Sequence, residues 1–424
     1  MPGLCRSRGP GVIVYMRAPW FVLFPLPISL IVDDTMEHHP LYFDANATTP
    51  VHPEVLSLML PYLGEEFGNP SSFHRWGQKA KNAVDEARFQ AAAVLGCSTT
   101  EVVFTSSGTE ANNLAILGFF SAEAEKRESP LKRLDVHCVT TMIEHGSTLE
   151  TFRWLENWGI GVTRIAPDRS GRVSADAVAA ALRRNTILVS VMQVKNETGV
   201  VQPVQAISAL ARDRGIAFHT DAVQGTGKLS VSAESLGADF ITLAAHKAEG
   251  PKGCGVLYVR RGRRLSPILH GGSMDGNIRG GTHDVPAIVG CGAALIRSDS
   301  YRLESVGKAP LRDRFEAAVI RGIPDAAVNG AGADRVWNTS NISFPGIPGE
   351  ALLARLDLAG LAASRGSACA AGNAKPSHVL AAMDLPREVI NSAIRFSFLP
   401  SVTEEDIDRG TEIVAACVQG LRKR

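Results

Sequence analysis

The sequence predicts an α/β protein built around a mainly parallel, seven-stranded sheet. The chain has 424 residues, enough for a large core and for two or three domains. Apolar runs typical of buried strands recur along it, and apolar residues at helical spacing lie between most of them, as in 76–95. The strand-like runs lie near 101–105, 135–140, 161–165, 187–192, 216–220, 239–243 and 255–259. This alternation implies right-handed crossovers and a sheet that binds ligands at the carboxyl ends of its strands.

The composition excludes several classes of function. Apolar residues make up 45% of the chain, charged residues 21%, and the net charge is +1. No overall field therefore recruits nucleic acid or an anionic membrane, and neither is expected as a direct partner. The seven cysteines are scattered, without CxxC or zinc-type spacing, which favours reduced thiols in the cytoplasm.

The first 35 residues differ from the rest and are predicted to be a poorly ordered extension. Their apolar run, 18–32, contains three prolines and is too short to span a membrane. A secretory signal is the alternative, although no small-x-small cleavage site precedes Asp33.

Lys247 ends an apolar run within 239–259 and is followed by a glycine-containing turn and a second apolar run. An amine at the end of a buried strand is desolvated, which favours its neutral, nucleophilic form and a Schiff base with an aldehyde such as pyridoxal phosphate. The alternative is an ordinary solvated lysine, and the rest of the chain has to decide between them.

Other polar side chains also follow the strand-like runs. Gly108 and Thr109 open a helix whose free N–H groups suit a phosphate, although Ser107 and Glu110 also fit an ordinary capping box.

Three further strand ends carry suitable groups. The ring of His145 could stack on a flat cofactor, or the residue could be merely structural. The amide of Asn196 could bond a phenolic oxygen or the substrate, or the residue could simply form a turn. Asp221 suits a protonated pyridine nitrogen, and Gln224 is placed to reach the oxygen of the same ring. Together these residues form the parts of a pyridoxal phosphate site, whereas the sequence lacks the glycine-rich nucleotide motifs.

Ordered motifs run through most of the chain, and they lie at 42–50, 67–74, 107–112, 196–199, 219–224, 246–247, 250–253, 365–369, 376–380 and 394–397. From about Leu41 to about Leu421 the sequence resembles the cysteine desulfurases of the class V aminotransferase group, which serve nitrogenase and iron–sulfur cluster assembly.

The resemblance implies a homodimer of pyridoxal phosphate fold type I. Its large cofactor-binding domain would span 57–301, and 36–56 with 302–424 would form a smaller α/β domain that carries the Cys369 loop.

The resemblance also implies roles for individual residues. Lys247 would carry the internal aldimine, His145 would stack on the ring and move protons, and Asp221 would pair with the pyridine nitrogen. The other implied cofactor contacts are Asn196 and Gln224 near the phenolic oxygen, Gly108, Thr109 and His246 at the phosphate, and Thr282 from the partner subunit. Ala244 occupies a further cofactor position at which the family usually has a phosphate-binding serine, so one donor is missing.

Cys369 lies among small residues at 364–376 and is predicted to lie on an accessible loop, where its thiol can act as a nucleophile toward a sulfur atom. The resemblance implies that L-cysteine becomes L-alanine, with Arg395 binding the substrate carboxylate. The sulfur would remain as a persulfide on Cys369, which could transiently ligate iron, before it passes to an iron–sulfur scaffold or another acceptor protein.

Two alternatives remain open. The first is an aminotransferase or selenocysteine lyase with the same cofactor. The second is a non-catalytic scaffold or sulfur-relay subunit, suggested by Ala244 and by the unusual Arg365 and Ala370–Ala371 around the thiol.

Overall fold

The computed structural model describes residues 39–272, 275–366 and 376–423, and the chain from Pro40 onward forms one compact unit. The predicted extension at 1–35 and the predicted nucleophile Cys369 lie outside the described residues.

The first part of the chain alternates strands and helices in this order: β1 (Leu41–Tyr42), α1 (Pro53–Leu63), α2 (Arg75–Leu95), β2 (Val102–Thr105), α3 (Gly108–Lys126), β3 (His137–Thr141), α4 (Gly146–Asn157), β4 (Gly161–Ile165), α5 (Ala175–Ala181), β5 (Thr186–Ser190), α6 (Val204–Asp213), β6 (Ala217–Asp221), α7 (Ala233–Leu236), β7 (Phe240–Ala244) and β8 (Gly255–Val259). The later part is richer in helices: α8 (Val285–Val306), α9 (Ala309–Gly322), β9 (Ala327–Val328), β10 (Thr339–Ser343), α10 (Gly349–Leu358), β11 (Leu361–Ala362), α11 (His378–Ala382), α12 (Arg387–Asn391), β12 (Ala393–Ser397) and α13 (Glu404–Arg422).

The central sheet has seven strands in the order β2-β8-β7-β6-β5-β3-β4. Only β8 runs antiparallel to its neighbours, β2 and β7, and the other pairs are parallel. All seven predicted strand-like runs fall in this sheet, so the predicted α/β fold is confirmed.

Both faces of this sheet are covered, as the side-chain alternation along β8 illustrates. Val256 and Tyr258 join the core on one face, whereas Leu257 and Val259 join the core on the other. Successive strand residues point to opposite faces, so a strand that is apolar throughout requires cover on both sides.

A third apolar core draws on residues near both ends of the described chain. Phe43, Phe315, Phe396 and Phe398 meet edge to face, with ring centroids 4.9–6.0 Å apart. This core packs beside the three-stranded sheet β12-β10-β9 and the pair β1-β11. The predicted division into a large and a small domain stays a prediction.

Within the described ranges, no helix combines the length and apolar character that a membrane crossing requires.

Candidate functional site

The predicted site residues follow neighbouring strands of the central sheet. His145 comes soon after β3, Asn196 follows β5, Asp221 is the last residue of β6, and Lys247 ends a short 3-10 helix directly after β7. Because β3, β5, β6 and β7 are parallel, their carboxyl ends lie at the same edge of the sheet.

Lys247 is held by backbone oxygens from the segment that follows β1. Its Nζ donates hydrogen bonds of 2.6 Å to the carbonyl oxygens of Asn46 and Ala47. Lys247 also lines a small, partly open pocket of about 10 Å³, together with Lys228, Glu249 and Tyr301. Its amine is thus hydrogen-bonded within the protein, unlike that of an ordinary solvated lysine.

Asp221 is buried, and its carboxylate orientation is set by two donors. Oδ2 accepts a 2.8 Å hydrogen bond from the side-chain amide of Asn112, and Oδ1 accepts one of 3.1 Å from the N–H of Val223. A buried carboxylate held in this way can bind a protonated ring nitrogen.

His145 caps the amino end of α4. Its Nδ1 accepts a hydrogen bond from the N–H of Ser147 at 3.2 Å, which leaves the ring proton on Nε2, and it lies 2.8 Å from the Ser147 hydroxyl. Burial lowers the pKa of His145, against a smaller opposing effect of Asp221, so the neutral ring is favoured. Ser147 Oγ also accepts from Asn112 at 2.9 Å, so hydrogen bonds connect His145 with Asp221.

Gly108 and Thr109 form the first turn of α3, where helix N–H groups lack intrahelical partners. Ser107 caps this helix by accepting from the N–H of Glu110 at 3.1 Å. The capping box that was the alternative here is only half formed, because the Glu110 carboxylate bonds the N–H of Ser106 and pairs with Arg279 instead. The turn thus combines ordinary capping with a place for an anion.

Ala244 lies beside the first turn of α3, and His246 directly precedes Lys247 in the chain. A Cβ built on Gly108 would lie 3.4 Å from the Ala244 side chain, so position 244 borders the first turn of α3. The His246 Nδ1 lies 3.1 Å from the hydroxyl of Thr48, and burial lowers the pKa of His246 to about 4. Thr282 is exposed in the segment before α8, and its predicted contact with a partner subunit stays a prediction.

Arg395 and Asn196 meet at the border of the sheet and the third apolar core. The Arg395 guanidinium is 1% exposed and donates to Asp44 Oδ1 at 2.7 Å, and to the carbonyl oxygens of Asn196 at 3.2 Å and Gly366 at 3.3 Å. Arg395 Nε and Asn196 Oδ1 are enclosed and have no hydrogen-bond partner among the residues described. Both atoms can therefore form a hydrogen bond with a polar ligand that reaches them.

The sequence analysis missed three residues of this site. Asn46 bonds Lys247, Gln224, Lys228 and the carbonyl oxygen of Asn196. Asn112 orients Asp221, and Lys228 binds Gln224. Asn46 and Asn112 lie inside the ordered motifs 42–50 and 107–112, and Lys228 lies four residues after Gln224, so each carried a sequence signal that was not assigned a role.

The residues present fit pyridoxal phosphate. The α3 turn suits its phosphate, Asp221 and His145 suit its ring, Lys247 suits its aldehyde, and the enclosed Asn196 Oδ1 still lacks a partner in the described parts of the chain. Those parts contain no group of three or more His, Cys, Asp or Glu side chains able to hold a metal ion. The possible iron ligand Cys369 lies outside them.

Comparison with known proteins agrees with this assignment. The family model described as Aminotransferase class-V matches residues 41–409. Cysteine desulfurase IscS of Methanosarcina thermophila is 42% identical over 387 residues, which cover 91% of this chain and 94% of the relative. Cysteine desulfurase NifS of Azotobacter vinelandii is 39% identical over 384 residues, which cover 90% of this chain and 93% of the relative.

Solved structures show the same likeness. A NifS-like protein superimposes with a TM-score of 0.82 at 33% identity, covering 90% of this chain and all of the other. The structure described as SspA in complex with cysteine gives a TM-score of 0.75 at 36% identity, covering 86% of this chain and all of the other. Enzymes of this family depend on pyridoxal phosphate. The chain therefore belongs to the class-V aminotransferase family and, within it, groups with the cysteine desulfurases.

Proposed function

We propose that this protein is a pyridoxal phosphate enzyme that transfers the sulfur of L-cysteine to Cys369 and releases L-alanine. The observation that carries the proposal is that Lys247, His145 and Asp221 follow strands at one edge of the central sheet, while Arg395 from β12 donates to the backbone of Asn196 there. The proposal is further supported by relatives named cysteine desulfurases that match more than nine-tenths of their own length.

Each residue has a task that its surroundings favour. Arg395 binds the substrate carboxylate with its guanidinium, and Asn196, whose backbone it contacts, supplies the neighbouring amide. Lys247 binds the cofactor aldehyde in the resting enzyme and is then free to move the substrate α-proton, a task that neutral His145 can share. Pyridoxal phosphate, when bound, supplies an aldehyde that condenses with amines and a ring that accepts electrons from the α-carbon.

The sulfur step balances without an added oxidant. The Cys369 thiolate attacks the substrate sulfur, the carbon–sulfur bond breaks, and its electron pair remains on the carbon, which takes a proton to give L-alanine. The sulfur stays on Cys369 as a persulfide, a possible transient iron ligand, and passes from there to an iron–sulfur scaffold or another acceptor protein.

The proposal includes a homodimer, which exposed apolar side chains support. On α1 and the segment after it, Leu60 is 55% exposed, Leu63 65%, Phe67 73% and Phe73 95%. Large apolar side chains that remain exposed on consecutive segments favour a protein interface. Light scattering should give twice the chain mass of 45.2 kDa, whereas a monomer would contradict this part of the proposal.

The function is tested with L-cysteine, with alanine, persulfide and sulfide as measured products. Wild-type protein should form alanine with a persulfide on Cys369, and Cys369→Ser should lose both while keeping the absorbance of bound cofactor at about 400 nm. Lys247→Ala should lose that band. Cys97→Ser is the matched control, because it alters a half-buried thiol in the described part of the chain, and it should behave as wild type.

Two outcomes would support other functions. Sulfide release that survives Cys369→Ser would favour an aminotransferase or selenocysteine lyase. Absence of the cofactor band in protein produced with excess pyridoxal phosphate would favour a non-catalytic scaffold or sulfur-relay subunit.

A further inference from the structure

Lys228 is a second buried amine beside the candidate site, and the proposed reaction does not use it. Its side chain is 7% exposed, and its Nζ donates to Gln224 Oε1 at 2.7 Å and to Asn46 Oδ1 at 3.2 Å. Within the described ranges, no carboxylate lies close enough to form an ion pair with it. Lys228 and Lys247 line the same small pocket.

A buried amine without a carboxylate partner is costly. Burial, followed by the nearby charges of Lys247 and Arg395, lowers the pKa of Lys228 to about 7. A methionine could fill similar space without the cost of desolvating a charge. Packing alone therefore does not account for an amine at this position.

The two hydrogen bonds of the Gln224 amide determine its orientation. The Nζ of Lys228 donates to Oε1, so the oxygen of the amide faces Lys228. A backbone carbonyl only accepts, so the nitrogen must face Asn46, to whose carbonyl oxygen Nε2 donates at 3.1 Å. A flipped amide would place its oxygen against the carbonyl oxygen of Asn46, two acceptors with no hydrogen between them.

This orientation determines what Gln224 presents to a ligand. Nε2 carries two hydrogens, of which one is donated to Asn46. The second hydrogen is left for an acceptor in the site, such as the phenolic oxygen of pyridoxal phosphate. Lys247 donates to the same Asn46 oxygen at 2.6 Å, so both amines and the amide belong to one network.

We propose that Lys228 is a positioning residue, which orients Gln224 so that an N–H group faces the ring oxygen of the cofactor. This inference rests on the proposed function, because it takes Lys247 as the cofactor-binding lysine. Lys228 acts through Gln224 and Asn46 and does not itself touch the cofactor.

The test compares two ligands in equilibrium binding to the apoprotein: pyridoxal phosphate and its 3-deoxy analogue, which lacks the ring hydroxyl. Lys228→Met should weaken binding of pyridoxal phosphate roughly 3- to 10-fold, the range expected for one lost hydrogen bond, and leave binding of the analogue unchanged. Gln224→Met should have the same effect, and the double variant should lose no more than either single variant. Lys126→Met, which alters a 73% exposed lysine on α3, should bind both ligands as wild type does.

Three results would overturn the inference. Equal losses for both ligands would reveal a merely structural role, and additive losses in the double variant would show that Lys228 does not act through Gln224. If the two single variants shift the chemical-unfolding midpoint of the apoprotein additively in the double variant, Lys228 and Gln224 are not energetically coupled, which would also contradict the inference. If wild-type protein binds neither ligand, the proposed function itself fails, which is a different result.

Discussion

The side-chain amide of Asn112 donates a 2.8 Å hydrogen bond to Oδ2 of Asp221 and a 2.9 Å hydrogen bond to the hydroxyl of Ser147. Since Ser147 also contacts the His145 ring, one amide on α3 connects the carboxylate and the imidazole that the proposed cofactor ring requires.

Asn112→Ala should destabilise the protein by about 2 kcal/mol, because the buried Asp221 carboxylate loses a charge-assisted hydrogen bond. Urea unfolding of the apoprotein measures this change. Asn157→Ala, at the exposed end of α4, is the control and should change stability by less than about 0.5 kcal/mol. Equal effects of the two variants would show that the contact with Asp221 contributes little.

Asp44→Asn should cost about 3 kcal/mol of stability, because it leaves the buried Arg395 guanidinium without its carboxylate. Calorimetric unfolding checks this prediction. Asp85→Asn breaks an ion pair with Lys81 in which both side chains are 52% exposed, and it should cost no more than about 0.5 kcal/mol. A small effect at Asp44 would mean that the carbonyl acceptors of Asn196 and Gly366 suffice for Arg395.

Glu144→Gln should change how stability depends on pH. Glu144 is fully buried, and burial raises its pKa from 4.5 to about 7. Between these values the unfolded chain loses the proton while the folded protein retains it, so wild-type stability falls as the pH rises. Glutamine does not titrate. The free energy of unfolding of the variant, relative to that of wild type, should therefore rise by about 2–3 kcal/mol from pH 5 to pH 8.

Chemical unfolding at both pH values measures that gain. The matched control is the exposed Glu65→Gln, whose difference from wild type should be the same at pH 5 and pH 8. A constant difference for Glu144→Gln as well would show that Glu144 is ionised in the folded protein throughout this range.

Ala244→Ser should strengthen binding of pyridoxal phosphate, because a hydroxyl beside the first turn of α3 adds a donor at the proposed phosphate position. One hydrogen bond to a charged group corresponds to roughly 10- to 100-fold in affinity. Gly108→Ala should weaken binding of pyridoxal phosphate, since the added Cβ would lie 3.1 Å from the Val223 side chain and crowd the first turn of α3. Equilibrium dialysis measures both, and unchanged affinity in Ala244→Ser would place the phosphate elsewhere.

The local sequence was sufficient to identify the strands and the residues that follow them. The alternation of strands and helices predicted a mainly parallel sheet covered on both faces, and the side chains of β8 join a core on each face. Lys247, Asp221 and His145 could be identified as site residues because parallel strands bring their carboxyl ends to one edge of the sheet. This follows from the right-handed connections between the strands and requires no knowledge of individual contacts. The capping box that was the alternative at Ser107 is only half formed, since Arg279, 169 residues away, competes for the Glu110 carboxylate.

What the sequence determined by itself is the fold class, the family and the types of chemical group at each strand end, because these depend on residue periodicity and on ordered motifs. Only the tertiary structure decided how those groups are held. Asn46 lies 201 residues before Lys247, 182 before Lys228 and 178 before Gln224, yet it bonds all three. No local pattern encodes such contacts, because they arise from how the segment after β1 packs across the strand ends once the core has formed.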